Sequence, residues 1–443
     1  MESRSGGFSA KTSWAANNAG MNHAPLFALA LASSCVAQQP ATEPAAAPPP
    51  PLDWKTLEAP LLTHQVQLTK REQFVKAGEA YFSPDGKWVI FQAVSVPEEG
   101  KDPDPFYAMF VAKLTRDRFT DEVTGTETPV RVSPDGSANT CGWFHPTQPG
   151  RVIFGSTLVH PAEDQKSGFQ VGTRSYKWMF PAEMEVVGVD VEPLYQAMKP
   201  QADRSAMPPP LPKSWQGTPT PVFTRPNYDA ECSYSADGRF ILYTHLNDPQ
   251  SGQVHDADIW VYDTKTQQQH CVVKAPGYDG GPFFSPDGKS ICYRSDRKGD
   301  DLLQLYVADL KFDKDGVPVG IQKEYQLTSN QSVNWAPYWH PSGQFLIYGT
   351  SEVSHANYEL FAIKADMAAL RAGAKPTDLP KRRISSADGA DILPAFSPDG
   401  SLMMWCSQRG PKTDKDERPT SQLWIGEWKG DPFATPAKPK GND

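Results

Sequence analysis

Short runs of alternating or wholly apolar residues recur along this chain, each bounded by a polar turn and laid out in the same way. The clearest turns are Ser83-Pro84-Asp85-Gly86, Ser285-Pro286-Asp287-Gly288 and Ser397-Pro398-Asp399-Gly400, and degenerate copies start at His145, Ser235 and His340. Pro fixes φ at the first turn position, Asp accepts local backbone hydrogen bonds, and Gly supplies the positive φ that returns the chain to a strand. An aromatic residue precedes every turn start: Phe82, Phe144, Tyr234, Phe284, Trp339 and Phe396. A second aromatic closes the following strand: Phe91, Phe154, Tyr243, Tyr293, Tyr348 and Trp405. Both columns are expected to pack one small sheet against the next.

A third strand follows in each unit, such as Ile259-Trp260-Val261-Tyr262 or Leu305-Tyr306-Val307, and then a shorter, more polar fourth. The sixth unit has no fourth strand after Trp428. Val66-Gln67-Leu68-Thr69 at the other end matches Tyr325-Gln326-Leu327-Thr328 and supplies it. The pattern therefore predicts an all-β, six-bladed β-propeller closed by pairing an N-terminal strand with the last blade. The repeats are expected over 64–430, with a polar tail over 431–443.

Before the repeats, residues 1–37 read as a signal peptide region, because Ala24 to Ala37 is apolar and ends in small residues. Two processing routes fit it: acylation of Cys35 after Ala32-Ser33-Ser34, or cleavage after Ala37. Residues 38–63 are expected to be a Pro/Ala-rich linker. Export to the periplasm or envelope follows, with membrane contact only through a lipid on Cys35. Residues 157–220 form an insertion that enlarges blade two and carries Phe169, Tyr176, Trp178, Phe180, a short helix near Val191 to Met198 and the Pro208 to Pro212 run.

A net charge of −9 with scattered Lys and Arg argues against a nucleic-acid partner. None of the six cysteines lies within four residues of another, so metal-ligand spacing is missing and most are expected as buried hydrophobes. A Cys141–Cys232 disulfide between neighbouring repeats is the pairing that export would allow.

Candidate chemistry falls on the top face, where the loops between second and third strands meet those between blades. Six residues before each turn start stand Ala77, Asn139, Asp229, Asp279, Asn334 and Asp391, expected to satisfy backbone donors locally. Residues that depart from the repeat are the stronger binding candidates: Glu79, Glu231, His245, Asn247, His255, Arg294, Asp296, Arg297, Trp335, Glu352, His355 and Arg409. They are expected around the channel mouth. His245, His255 and His355 have no ligand spacing, so no metal and no cofactor is expected. His145 and His340, on the opposite face, read as turn variants. No Gly-x-Ser-x-Gly elbow, His-Glu-x-x-His or phosphate-binding glycine loop occurs, and no catalytic residue is assigned.

The stretch Asp279 to Val307 carries Asp-x-x-Pro-x-aromatic-Ser-Pro-Asp-Gly-x-x-Ile, then Ser295-Asp296-Arg297 and Leu305-Tyr306-Val307. It resembles the WD-repeat-like propeller repeat of the TolB family, and the resemblance extends over Val66 to Trp428. It implies the propeller fold but not one activity, because such repeats serve envelope proteins, peptidase propellers and polysaccharide lyases. The expectation is an exported, non-enzymatic module that binds an envelope protein or glycan. The alternative is a polysaccharide lyase or related carbohydrate enzyme with its site at the channel mouth.

Overall fold

The computed structural model describes residues 53–162, 168–170, 175–177, 180–197, 217–247, 256–300 and 302–434. The expected signal region 1–37 with Cys35, most of the linker, His255, Pro208 to Pro212 and the tail from 435 onward lie outside them, as do the side chains of Phe169, Tyr176 and Trp178. Besides a two-stranded sheet of Gly168–Gln170 and Ser175–Lys177 in the insertion, six larger antiparallel sheets follow one another along the chain, and their inner strands are Phe74–Phe82, Asn139–Phe144, Asp229–Tyr234, Asp279–Phe284, Asn334–Trp339 and Asp391–Phe396. They are the six blades of a β-propeller. In the sixth, the order from outside to inside is Leu62–Gln67, Gln422–Trp428, Leu402–Ser407, Asp391–Phe396, so the N-terminal strand completes the last blade. Val66 pairs with Ile425 and Leu62 with Trp428.

The second-strand aromatics form the core that was expected of them. Phe91 is 1% exposed, and Phe154, Tyr243, Tyr293, Tyr348 and Trp405 are all 0% exposed. Apolar clusters then span adjacent blades: Tyr293 and Ile291 of blade four pack with Leu242 and Val261 of blade three. Each sheet is thereby covered on both faces by its neighbours, at about 25 cal/mol per Å² of apolar surface removed from water.

The turns form as their residues dictate. In four blades the serine hydroxyl lies 2.6 Å from the Asp carboxylate two residues on, in Ser83–Asp85, Ser235–Asp237, Ser285–Asp287 and Ser397–Asp399. Where histidine replaces serine, Nδ1 takes over as acceptor: His145 receives Gln148 N at 3.1 Å and His340 receives Ser342 N at 3.1 Å. Each ring also packs on the turn glycine of the following blade. A Cβ on Gly238 would stand 2.4 Å from His145 Cε1, and one on Gly400 would stand 2.8 Å from His340 Nε2. The turn histidines therefore wedge neighbouring blades together.

The folded part starts earlier than position 64. Trp54–Glu58 is a helix whose N-cap, Asp53, accepts Thr56 N, and Leu61 and Leu62 are buried. This helix clamps the closure. Glu58 receives Arg409 Nη1 at 2.7 Å, Gln65 Nε2 at 2.9 Å and Ser386 N at 2.6 Å, while Arg409 Nη2 also reaches Asp391 at 2.7 Å. The Arg409 and Glu58 side chains are both 0% exposed, and Trp54, Trp405 and Trp424 surround the guanidinium. Removing one partner of a buried ion pair strands the others in a low-dielectric site. Arg409→Ala is expected to lower stability by about 3–5 kcal/mol in urea unfolding. Arg409→Lys should not restore it, because one ammonium cannot reproduce the two-armed contact.

Candidate functional site

All six inner strands carry an irregularity in pairing at the same level, four residues before the turn start. The register shifts fall at Gly78/Ala80, Thr140/Trp143, Ala230/Ser233, Gly280/Phe283, Trp335/Tyr338 and Ile392/Ala395. A bulge of this kind re-aims a side chain out of the sheet. The residues so turned are Glu79, Cys141, Glu231, Gly281, Ala336 and Leu393, and the last five have φ between +51° and +58°. They make one layer around the central channel.

The layer is asymmetric. Glu79 Oε2 receives the Cys141 thiol at 3.1 Å and Oε1 receives the Tyr81 hydroxyl at 2.6 Å. Glu231 receives Gly281 N at 2.6 Å, the Tyr278 hydroxyl at 2.6 Å and Arg294 Nη2 at 3.1 Å. Arg294 comes from the second strand of blade four and fills the place that blade four's own bulge residue leaves vacant: a Cβ on Gly281 would stand 1.9 Å from Arg294 Nη1. Burial raises the Glu79 carboxyl above its ordinary range, against the pull of Tyr81, Cys141 and Arg294. Burial, then Glu79 and Glu231, push the Cys141 thiol well up, so it is held as a neutral donor.

Two residues further down each strand lies a second layer, Tyr81, Trp143, Ser233, Phe283, Tyr338 and Ala395. Its four aromatics touch across the axis. Tyr81 lies 4.7 Å from Trp143, 5.7 Å from Phe283 and 6.0 Å from Tyr338, and Phe283 lies 5.2 Å from Tyr338. They plug the channel. Above the charged layer, Phe180 from the blade-two insertion packs edge-on to Tyr228 at 5.0 Å and tilts over Tyr278 at 5.9 Å.

Several candidate residues therefore stand elsewhere than on an open rim. Glu231 and Arg294 are 7% and 6% exposed inside the channel, and Glu79 lines it beside them. Arg297 braces blade four, with Nη2 on Asp279 at 2.8 Å and Nη1 on Glu324 at 2.7 Å, and Arg409 belongs to the closure clamp. His245 is buried, with Nδ1 2.9 Å from Asp229. The recurring Asp/Asn position is thus a clasp between the first two strands: Asn334 Oδ1 receives Thr350 Oγ1 at 3.0 Å in the same way, and Asn139 Nδ2 donates to Tyr107 O at 2.9 Å across to blade one. Asp296 caps a loop by accepting Tyr278 N at 2.6 Å, and Asn247 donates to Asp256 and Asp258. Trp335 is partly buried beneath the Arg294 guanidinium, 6.0 Å from its ring. Glu352 and His355 are exposed on the top face, the first paired with Lys381. Cys141 and Cys232 are both free thiols, so the expected disulfide is not formed. The aromatic plug escaped sequence reasoning, although its signal stands two residues before four of the six turn starts.

No family model matches the chain. Over 215 residues it is 25% identical to the uncharacterized peptidase YuxL of Bacillus subtilis, covering 42% of this chain and 30% of that protein. Over 185 residues it is 26% identical to the Tol-Pal system protein TolB of Wolinella succinogenes, covering 40% of this chain and 36% of that one. These alignments span about a third of each relative's length. A solved structure of a putative TolB from Agrobacterium tumefaciens is similar with a TM-score of 0.43 at 14% identity, over 80% of this chain and 91% of that one. The fold is a six-bladed β-propeller, and its repeat is TolB-like.

Two measurements test this geometry. Gly281→Ala forces a methyl group against Arg294 at a left-handed backbone position, and should cost about 1–3 kcal/mol of stability. Glu185, at the return of the insertion, is pushed up to about 7 by burial and then by Asp229. Its folded form holds a proton that the unfolded chain releases near 4.5, so its contribution is full below pH 4.5 and falls as pH rises to about 7. Thermal unfolding across that window should show a shallower decline in Glu185→Gln than in the natural protein.

Proposed function

We propose that this protein is an exported binding module of the cell envelope, in which the propeller presents its top face to a protein or glycan. The observation that carries this reading is the state of the channel. Its charged groups satisfy one another, its thiol is held neutral, and four aromatic rings close it below. Such a centre stiffens a ring and leaves recognition to the loops around it. Export is supported by the apolar, small-residue stretch of 24–37 and by the likeness to a Tol-Pal system protein.

The test is cross-linking of the tagged full chain in intact cells, followed by capture from envelope fractions. A partner should be recovered from the envelope and lost when Glu352 and His355 on the top face are both changed to alanine. Gln344→Ala, on the opposite face, should retain it. Residence in the cytoplasm, capture indifferent to the top face, or release of unsaturated sugars from an acidic polysaccharide by the purified protein would overturn the reading.

A further inference from the structure

Five blades place a polar residue at the same ladder position near the top of the third strand: Glu185, Asp258, Gln304, Glu359 and Gln422. In three of them the group is fully answered. Gln304 accepts Asn334 Nδ2 at 3.1 Å and donates to Asn330 O and Ser332 O. Gln422 accepts Thr69 Oγ1 at 2.8 Å and donates to Phe74 O at 3.0 Å. Glu359 accepts Arg383 Nη2 at 2.6 Å and the Ser385 hydroxyl. Blade three keeps the acid and loses the base. Arg383 pairs with Phe361, two residues beyond Glu359, and the matching partner of Trp260, two residues beyond Asp258, is Cys271.

Asp258 is 1% exposed. Its Oδ2 accepts Asn247 Nδ2 at 3.0 Å, and the same nitrogen donates to Asp256 Oδ2 at 2.9 Å. Two carboxylates thus share one neutral donor. The Cys271 thiol adds only a long contact to Asp258 Oδ2, at 3.9 Å, and Asp258 Oδ1 has no hydrogen-bond partner among the described residues. No Lys, Arg or His among those residues lies within ion-pair distance of either acid, and Lys274, exposed after the fourth strand, acts on Asp258 only from further off. Burial raises the Asp258 carboxyl, and Asp256 adds to the rise against Asn247 and Lys274. Other buried acids with an unbonded oxygen keep a base beside them: Asp229 has His245, Asp279 has Arg297, and Glu185 has Arg225 as well as Asp229. A buried polar atom left without a partner marks the place of a water or an ion.

The backbone holds these groups in position. Asn247 N donates to Asp256 O at 2.8 Å, Ala257 N to Gly277 O at 3.0 Å, and Gly277 N to Asp256 Oδ1 at 3.2 Å. Asn247 and Asp256 are half-buried, so the space between the two acids is reached from solvent. A half-turn of an amide group presents its oxygen in place of its nitrogen to the same neighbours. We infer that Asn247, Asp256 and Asp258 form a Ca²⁺ site at the top of blade three, in which the ion takes Asp256 Oδ2, both oxygens of Asp258 and the turned Asn247 Oδ1, with water completing its shell. An all-oxygen set selects a hard cation. The idle Asp258 Oδ1 selects within that class, because Ca²⁺ accepts a bidentate carboxylate while Mg²⁺ demands a near-ideal octahedron and keeps its waters. Among the described residues no three His, Cys, Asp or Glu side chains are placed to hold a metal, so the amide oxygen is an essential ligand here. Histidine spacing, from which no metal was expected, does not bear on such a set. The inference is independent of the function proposed above.

The test uses the full chain, freed of metal with EDTA, titrated with CaCl2 by calorimetry and unfolded by heat in CaCl2, MgCl2 or NaCl of equal ionic strength. Ca²⁺ should bind with a Kd on the order of 0.1–1 mM, the weak end of the range for oxygen sites, and should raise Tm because it binds the folded form. Asp256→Asn should weaken binding about tenfold, or 1.4 kcal/mol. In EDTA it should unfold no earlier than the natural protein, since it removes one of two like charges. Asn247→Asp separates a ligand from a mere hydrogen-bond donor: it should unfold earlier in EDTA, bind Ca²⁺ more tightly and be rescued by it. No response at about 10 mM Ca²⁺, a response that NaCl or MgCl2 reproduces, equal binding by Asp256→Asn, or an Asn247→Asp variant that Ca²⁺ fails to rescue would overturn the inference.

Discussion

A ring of sheets has no covalent closure, and here the first strand and the last blade meet around one guanidinium. Arg409 leaves the second strand of blade six, Asp391 belongs to that blade's inner strand, and Glu58 is brought by the N-terminal helix. The strand Leu62–Gln67 then has one register open to it along Gln422–Trp428. Every inter-blade core depends on that junction, because a propeller missing one strand exposes the flank of its last sheet and, with it, the first sheet it should cover.

The same device recurs in weaker form around the ring. Asp279 with Arg297, Asp229 with His245 and Asn334 with Thr350 each tie an inner strand to the second strand at the top of a blade. Below them the bulges turn one residue per blade toward the channel, a glycine in blade four. The upper ends of blades three to six are thus set by polar contacts, and the channel is filled by the bulge residues, Arg294 and the aromatic layer below them. Loops on that face can vary without disturbing either.

The fold was legible because it repeats. Twelve aromatic positions and six turn starts align the blades, and the unmatched Val66 to Thr69 segment locates the closure. The site was less legible. Glu79, Glu231 and Arg294 stand out in the sequence as departures from the repeat, yet a one-dimensional alignment does not show a bulge, and the bulges turn Glu79 and Glu231 into the channel and leave at Gly281 the space that Arg294 fills. Arg297 and Arg409 look like binding groups in sequence because their carboxylate partners lie 18 positions upstream, with Glu58 far beyond that.

The vacancy at Gly281 has a consequence for how this chain can change. Arg294 occupies space that any side chain at 281 would claim, and Glu231 holds that guanidinium in place. Loss of Arg294 would leave Glu231 without its charge partner in a dry layer, and a methyl at 281 would expel Arg294 first. These positions form one structural unit. Relatives that keep the propeller should carry the glycine, the arginine and the carboxylate together or have replaced all three.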